Sequence, residues 1–255
     1  MYPNHGLGDQ IKECFDHVII YDVPGLTLKR LGSINDGGYV IALPTAETDL
    51  VAIGVGGNTD FEQQFLTING SPSIYLFDPF IEDFSPPPPF SFFPLLARLV
   101  DLSLFKRNSV LKVDIEGDEW DFFGRNTIDD LTRFSQIICE FHFLTLSPKG
   151  DLSPYFYSVY QRFCDQQNKS LFWTRSLILQ KLMDRFTPYH IHANNSLPLE
   201  TLDGVSFPPL IEVSMIRNDL AKGRIKTEKR FPLVGFDTPN KTDRPDITGW
   251  WPICS

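Results

Sequence analysis

The sequence predicts an α/β domain built around a mostly parallel sheet with helices on both faces, and three observations predict it. Apolar runs of roughly five to eight residues recur along the chain with helical or loop patterns between them, as strands joined by crossover helices require. One of those runs, Leu50 to Val55, ends in glycines and passes directly into a helix signal. The chain of 255 residues, 42% hydrophobic and 22% charged, has the length and balance of one large globular domain.

The elements follow in order. A helix is expected around Gln10 to His17 and a short strand before Asp22, both peripheral. In Arg30 to Val40, Asn35-Asp36-Gly37-Gly38 reads as a hairpin turn in which glycine supplies positive φ. After Gly54-Val55-Gly56-Gly57, Thr59 and Glu62 fit a capping box, and Phe61, Phe65 and Ile68 give the helix one apolar face. The second central strand runs from Ser73 to Phe77 and ends in Asp78. Pro86 to Pro89 form a stiff loop, because proline neither continues a helix nor donates to a sheet, and Phe93 to Phe105 then reads as a helix. Strands are expected at Val110 to Val113, Gln136 to Phe141, Thr187 to Ile191 and Ile211 to Ile216, with helices from Asp118 and over Pro154 to Cys164. Residues 1–29 form a peripheral segment, 30–220 the main domain, and 221–255 a tail packed over it.

Composition narrows the classes. No apolar run approaches the roughly 20 residues of a membrane helix. Met1 to Lys12 carries no basic segment followed by an apolar stretch, so a soluble cytoplasmic protein is the expectation. Cys14, Cys139, Cys164 and Cys254 lie far apart without metal-ligand spacing and read as reduced thiols. A net charge of -9 argues against nucleic acid as a partner, and the basic tract Lys222 to Arg230 reads as a solvated loop.

The glycines and Asp78 have the geometry of a site for an adenosine-containing ligand. Glycines let the ligand approach the backbone, and a carboxylate about 20 residues on accepts hydrogen bonds from ribose hydroxyls. The dinucleotide fingerprint fails, because its last glycine falls on Thr59. A plain strand-to-helix turn with Asp78 as an exposed strand end remains the competing reading. Asp114 and Glu116 lie at the strand edge where open α/β sheets bind ligands, although acidic residues there also serve as helix caps.

The strings Arg30-Leu31-Gly32, Asp36-Gly37-Gly38-Tyr39-Val40, Gly54-Val55-Gly56-Gly57, Phe77-Asp78-Pro79 and above all Lys112-Val113-Asp114-Ile115-Glu116-Gly117 with Glu119-Trp120 resemble the FkbM-type methyltransferases. Glu140-Phe141-His142, His192-Ala193-Asn194-Asn195 and Arg244-Pro245-Asp246-Ile247 extend the resemblance over roughly Arg30 to Ile247. It implies a Rossmann-like class I methyltransferase sheet, S-adenosyl-L-methionine as donor, and O-methylation of a small-molecule or glycan hydroxyl. By that resemblance Gly54, Gly56 and Gly57 line the methionine side of the donor, Asp78 holds the ribose, and Asp114 and Glu116 face the reacting centre. A hydroxyl acceptor needs a base, and His142 or His192 is the candidate, with Glu140 and His190 at the same strand ends. A hydrogen-bonded polar cluster is expected there rather than a metal held by Asp114, Glu140 and a histidine.

One departure stands out. Roughly 35 residues separate Asp78 from Asp114, room for one βαβ unit of about 30 residues and not two. One edge strand is therefore expected to be missing, which weakens donor binding. A catalytically inactive relative that binds a ligand or partner is the alternative reading, and a nucleotide-dependent oxidoreductase is disfavoured by Thr59.

Overall fold

The structure, a computed structural model, describes residues 6–70, 72–81, 86, 88–143 and 171–250. The helix expected over Pro154 to Cys164 lies outside the described residues, as do Cys164 and Cys254. The strands are β1 (Tyr21–Asp22), β2 (Leu28–Gly32), β3 (Gly38–Ala42), β4 (Leu50–Ile53), β5 (Ile74–Phe77), β6 (Phe90–Phe93), β7 (Val110–Val113), β8 (Gln136–His142), β9 (Phe186–Ala193), β10 (Glu200–Leu202), β11 (Val205–Phe207), β12 (Leu210–Arg217) and β13 (Ile225–Lys226). The helices are α1 (Leu7–Asp16), α2 (Asp60–Ile68), α3 (Glu119–Arg125), α4 (Ile128–Leu131) and α5 (Leu171–Met183).

Seven strands form the central sheet in the order β6-β5-β4-β7-β8-β12-β9. The first five are parallel, and β12 runs antiparallel to both β8 and β9. The connection direction reverses between β4 and β7, which opens a crevice beyond their carboxyl ends. The expected Rossmann-like α/β class is therefore present, with an antiparallel strand inserted before the last position.

Alternation along the central strands divides the core in two. Val51 and Ile53 of β4 join Val113, Cys139 and Phe141 on the face covered by α1 and α3, where Phe15, Phe122 and Phe123 pack. Leu50 and Ala52 point the other way, to Phe61 and Phe65 of α2 and to Leu31, Tyr39 and Ile41 of the β2-β3 hairpin. Each buried phenylalanine contributes about 1.5–3 kcal/mol, so the abundance of Phe is spent on both faces. The hairpin turn forms as expected, with Gly37 at φ +80°.

Two expectations are corrected here. The missing edge strand is present: β6 pairs in parallel with β5, Ile74 to Phe77 opposite Phe90 to Phe93. The chain fits it into a short span because Ala97–Leu99 and Leu102–Leu104 are only single 3-10 turns, where a helix over Phe93 to Phe105 was expected. Pro94 explains this. It holds Phe93 extended and removes a donor from any helix begun there, so the apolar residues that mimic helical spacing serve a strand and turns.

The capping box at Thr59 does not form either. Thr59 makes no side-chain cap bond; its Oγ1 accepts from Gln63 Nε2 at 2.8 Å, and Asn58 Oδ1 accepts the Asp60 amide at 2.9 Å. Glu62 is fully buried and pairs with Lys112 at 3.3 Å. A complete box stands instead at Thr127 and Asp130, at the start of α4.

Residues 223–250 lie along the domain. β13 pairs with β1, and Asp237, Asn240 and Asp246 reach β9 and β12 through His190, Glu212 and His192. No helix among the described residues is long and apolar enough to cross a membrane.

Candidate functional site

The glycine segment splits into two kinds of position. Gly54 has φ +78°, and a Cβ there would overlap the Asp114 carbonyl, so this glycine is what allows β4 and β7 to end side by side. Gly56 and Gly57 are different: no atom of the described residues lies within 4 Å of where a Cβ would stand. They face open space at the crevice.

Asp78 closes β5 as expected, but it is buried rather than an exposed strand end. Its Oδ2 accepts from the Val55 and Gly56 amides at 3.2 and 2.9 Å, and its Oδ1 from the Phe80 amide at 2.8 Å. The carboxylate thus holds the glycine segment in shape and keeps about one lone-pair direction for a further donor. Its first role is to position the loop.

Beyond the strand ends lies a cavity of about 400 Å³. Gly56, Gly57, Lys112, Asp114, Glu140 and His142 share its wall with the hairpin residues Asp36, Gly37 and Tyr39. A volume in this range suits a small-molecule ligand. A larger groove of about 1080 Å³ runs between the end of α1 and the tail, walled by Phe15, Ile19, Lys229 and Phe231. It carries no metal-binding cluster of His, Asp and Glu among the described residues.

Register explains the gathering of polar groups. Val113 pairs with Cys139, so Asp114 and Glu140 follow on adjacent strands, and Glu140 pairs with Glu212, which pairs with His192. Tyr39 donates its hydroxyl to Asp114 Oδ2 at 2.8 Å, and Asn194 donates to Glu140 Oε1 at 2.6 Å. Burial pushes the pKa of Asp114 up against the pull of His142 and Lys112. Burial, reinforced by Asp114, pushes Glu140 well above the ordinary carboxylate range.

His142 sits inside an acidic cage. Its Nδ1 stands 2.8 Å from Glu119 Oε1 and its Nε2 3.3 Å from Glu116 Oε2, and Glu119 also accepts the His142 amide at 2.6 Å. Burial opposes charge on this imidazole, but Glu119, Glu116 and Glu140 outweigh it and raise the pKa well above 6.5. An imidazolium has no lone pair, so His142 in this arrangement is a poor base. Glu116 lies in the left-handed region at φ +57°, followed by Gly117 at φ +107°, a costly conformation for a residue with a side chain.

His192 does not reach the cavity. β12 is inserted between β8 and β9, which puts His192 two strands, roughly 10 Å, from Glu140. It is fully buried, with Nδ1 3.3 Å from Glu212 and Nε2 3.2 Å from Asp246 of the tail. His190 likewise pairs with Asp237 at 2.9 Å. The expectation that these two histidines converge on the crevice with Glu140 and His142 is overturned by β12, which stands between β8 and β9.

Sequence reasoning assigned no role to Glu119, Tyr39, Lys112 and Asn194, which hold the site residues in place. Lys112, buried between Glu62 and the rings of Tyr39 and Phe61, is the cation beneath the cluster. Burial would lower its pKa, yet Glu62 and Asp114 raise it. A charged residue in the middle of an otherwise apolar strand was the visible signal. Neither protein-family models nor curated proteins return a match to this chain.

Proposed function

We propose that this protein is an S-adenosylmethionine-dependent methyltransferase that methylates a hydroxyl of a small molecule or glycan. The observation that carries the reading is that the open backbone at Gly56 and Gly57 and the cluster of Asp114, Glu116, Glu140 and His142 line one cavity at the switch point of the sheet. The residues fit the donor: Gly56 and Gly57 leave the space its methionine end requires, and Asp78 keeps one acceptor direction for a ribose hydroxyl. When bound, S-adenosylmethionine supplies an electrophilic methyl group.

What the chain itself contributes is proton handling. A carboxylate with a raised pKa is the stronger base as long as it is ionised, and His142, Lys112 and the Tyr39 hydroxyl favour the charged form of Asp114, so Asp114, with Glu140 beside it, takes the proton of the acceptor hydroxyl. The role first given to His142 passes to them. His142 and Lys112 offset the negative charge of the pair, and Tyr39 and Asn194 orient it. His192 and Asp246 tie the tail to the sheet. The cytoplasm is the compartment that goes with this reading, with Cys14 and Cys139 as buried free thiols.

The experiment is calorimetric titration of the purified protein with S-adenosylhomocysteine. Micromolar binding with a raised melting temperature supports the reading, since ligand at 100 times its Kd adds about 2.7 kcal/mol. One observation favours a second reading, a catalytically inactive binding protein: three backbone amides already occupy most of the Asp78 carboxylate. Absence of binding at millimolar ligand would turn the conclusion to that reading. A dinucleotide oxidoreductase is disfavoured by Thr59 and by the antiparallel β12, which the 3-2-1-4-5-6 order lacks.

A further inference from the structure

The geometry points to a divalent-cation site formed by Asp114, Glu140 and His142 on the wall of the cavity. One ligand atom from each lies within 4.8 Å of the others, and all three residues line the same cavity. Ligands held 2.0–2.2 Å from one ion stand about 3 to 4 Å apart, so small side-chain rotations close the set.

Three features separate this cluster from an ordinary patch of acidic residues. First, it contains an imidazole whose other nitrogen is already fixed. Glu119, fully buried on α3, sits 2.8 Å from His142 Nδ1. A ligand histidine is held in this way: its Nδ1–H donates to the carboxylate, and an arriving metal displaces the proton that Nε2 carries in the ion-free protein and so frees that lone pair. Among the described residues Glu116 stands before Nε2, and its side chain is 71% exposed, so a metal would compete with a solvent-accessible carboxylate for that nitrogen. Second, Asp114 Oδ1 is shielded from solvent and has no hydrogen-bond partner among the described residues, while Oδ2 is taken by Tyr39. A buried carboxylate oxygen without a partner is costly, and a cation satisfies it. Third, the ligands approach from the ends of two adjacent strands, leaving the cavity side open.

Two carboxylates and one imidazole with open positions suit a first-row divalent ion such as Mn²⁺, since oxygen donors favour harder ions and the imidazole admits the transition series. At an open position the ion would lower the pKa of a bound acceptor hydroxyl and so take over the activation that the carboxylates supply when no ion is bound. This catalytic use rests on the methyltransferase reading; the binding does not.

The test uses the full chain, stripped with chelator and titrated with Mn²⁺ alone while electron paramagnetic resonance follows the free ion. One Mn²⁺ per chain at micromolar concentration is expected. Asp114→Asn and Glu140→Gln, which preserve side-chain volume, are each expected to weaken it at least tenfold. Asp246→Asn, which alters a partly buried carboxylate away from the cavity, is expected to leave it within twofold. Circular dichroism shows whether each variant folds, and two independent ligand changes keep the test decisive if one does not. Absence of stoichiometric binding, or binding that survives both ligand substitutions, overturns the site. Parallel titration with S-adenosylhomocysteine separates the two proposals: Mn²⁺ bound without it leaves the cation site standing alone, and the converse removes only the cation site.

Discussion

Gly54 and Gly57, three residues apart, should respond to the same substitution in opposite ways. At Gly54 an alanine meets two penalties. Its φ of +78° costs a residue with a Cβ about 1–2 kcal/mol, and the overlap with the Asp114 carbonyl must be relieved by pushing β4 and β7 apart, another 1–3 kcal/mol by the scale of overpacked cores. Gly54→Ala should therefore lower the unfolding free energy by about 2–5 kcal/mol. At Gly57 the Cβ meets nothing within 4 Å, so Gly57→Ala should change stability by less than about 0.5–1 kcal/mol, with any gain coming from the unfolded chain. Urea denaturation measures both. Calorimetry with S-adenosylhomocysteine then supplies the contrast: Gly57→Ala should fold normally and lose at least tenfold in affinity, because the methyl group stands where the ligand approaches. A Gly54→Ala protein as stable as the parent would refute the close approach of the strand ends. Unchanged binding by Gly57→Ala would refute the placement of the donor.

Three further outcomes follow from the same geometry. Lys112→Met leaves Glu62 buried without its cation and should cost about 3–5 kcal/mol, whereas Lys112→Met with Glu62→Met should recover most of it, as thermal unfolding of the two proteins would show. Burial alone would lower the pKa of His192, but Glu212, Asp246 and Asp237 raise it from 6.5 to about 10. Its stabilisation is thus fully present below pH 6.5 and lost as pH rises through 10, a decline of up to about 4 kcal/mol that denaturation at pH 7, 8.5 and 10 should record and Asp246→Asn should flatten. Glu116→Asn eases the left-handed backbone at φ +57°, so stability should hold or rise by up to about 1 kcal/mol while methyl transfer falls, and a parallel loss of stability would count against strain at that residue.

Much of the fold was legible because it depends on local pattern. Runs such as Val110 to Val113 and Gln136 to Phe141 are buried on both faces and bounded by turn residues, so their strand character is written in a few adjacent positions. The Asn-Asp-Gly-Gly hairpin and the clustering of Asp114, Glu140 and His142 at neighbouring strand ends were also readable, since consecutive parallel strands bring their carboxyl ends together. The edge strand β6 was not, because Phe90 to Phe93 is short and the proline run and Pro94 around it obscure its period.

What the sequence determined by itself is the α/β class, the glycine-bearing turn after β4 and the identity of the residues able to do chemistry. Beyond the cluster of Asp114, Glu140 and His142, tertiary structure decided which of them meet. Strand order is set by long-range pairing that no local pattern encodes, and inserting β12 between β8 and β9 moved His192 from the crevice to a contact with the tail. Burial and charge are equally non-local: Glu119, from a helix on the opposite face, holds the pKa of His142 up, and Asp78, expected to hold a ribose, accepts from the amides of the glycine segment.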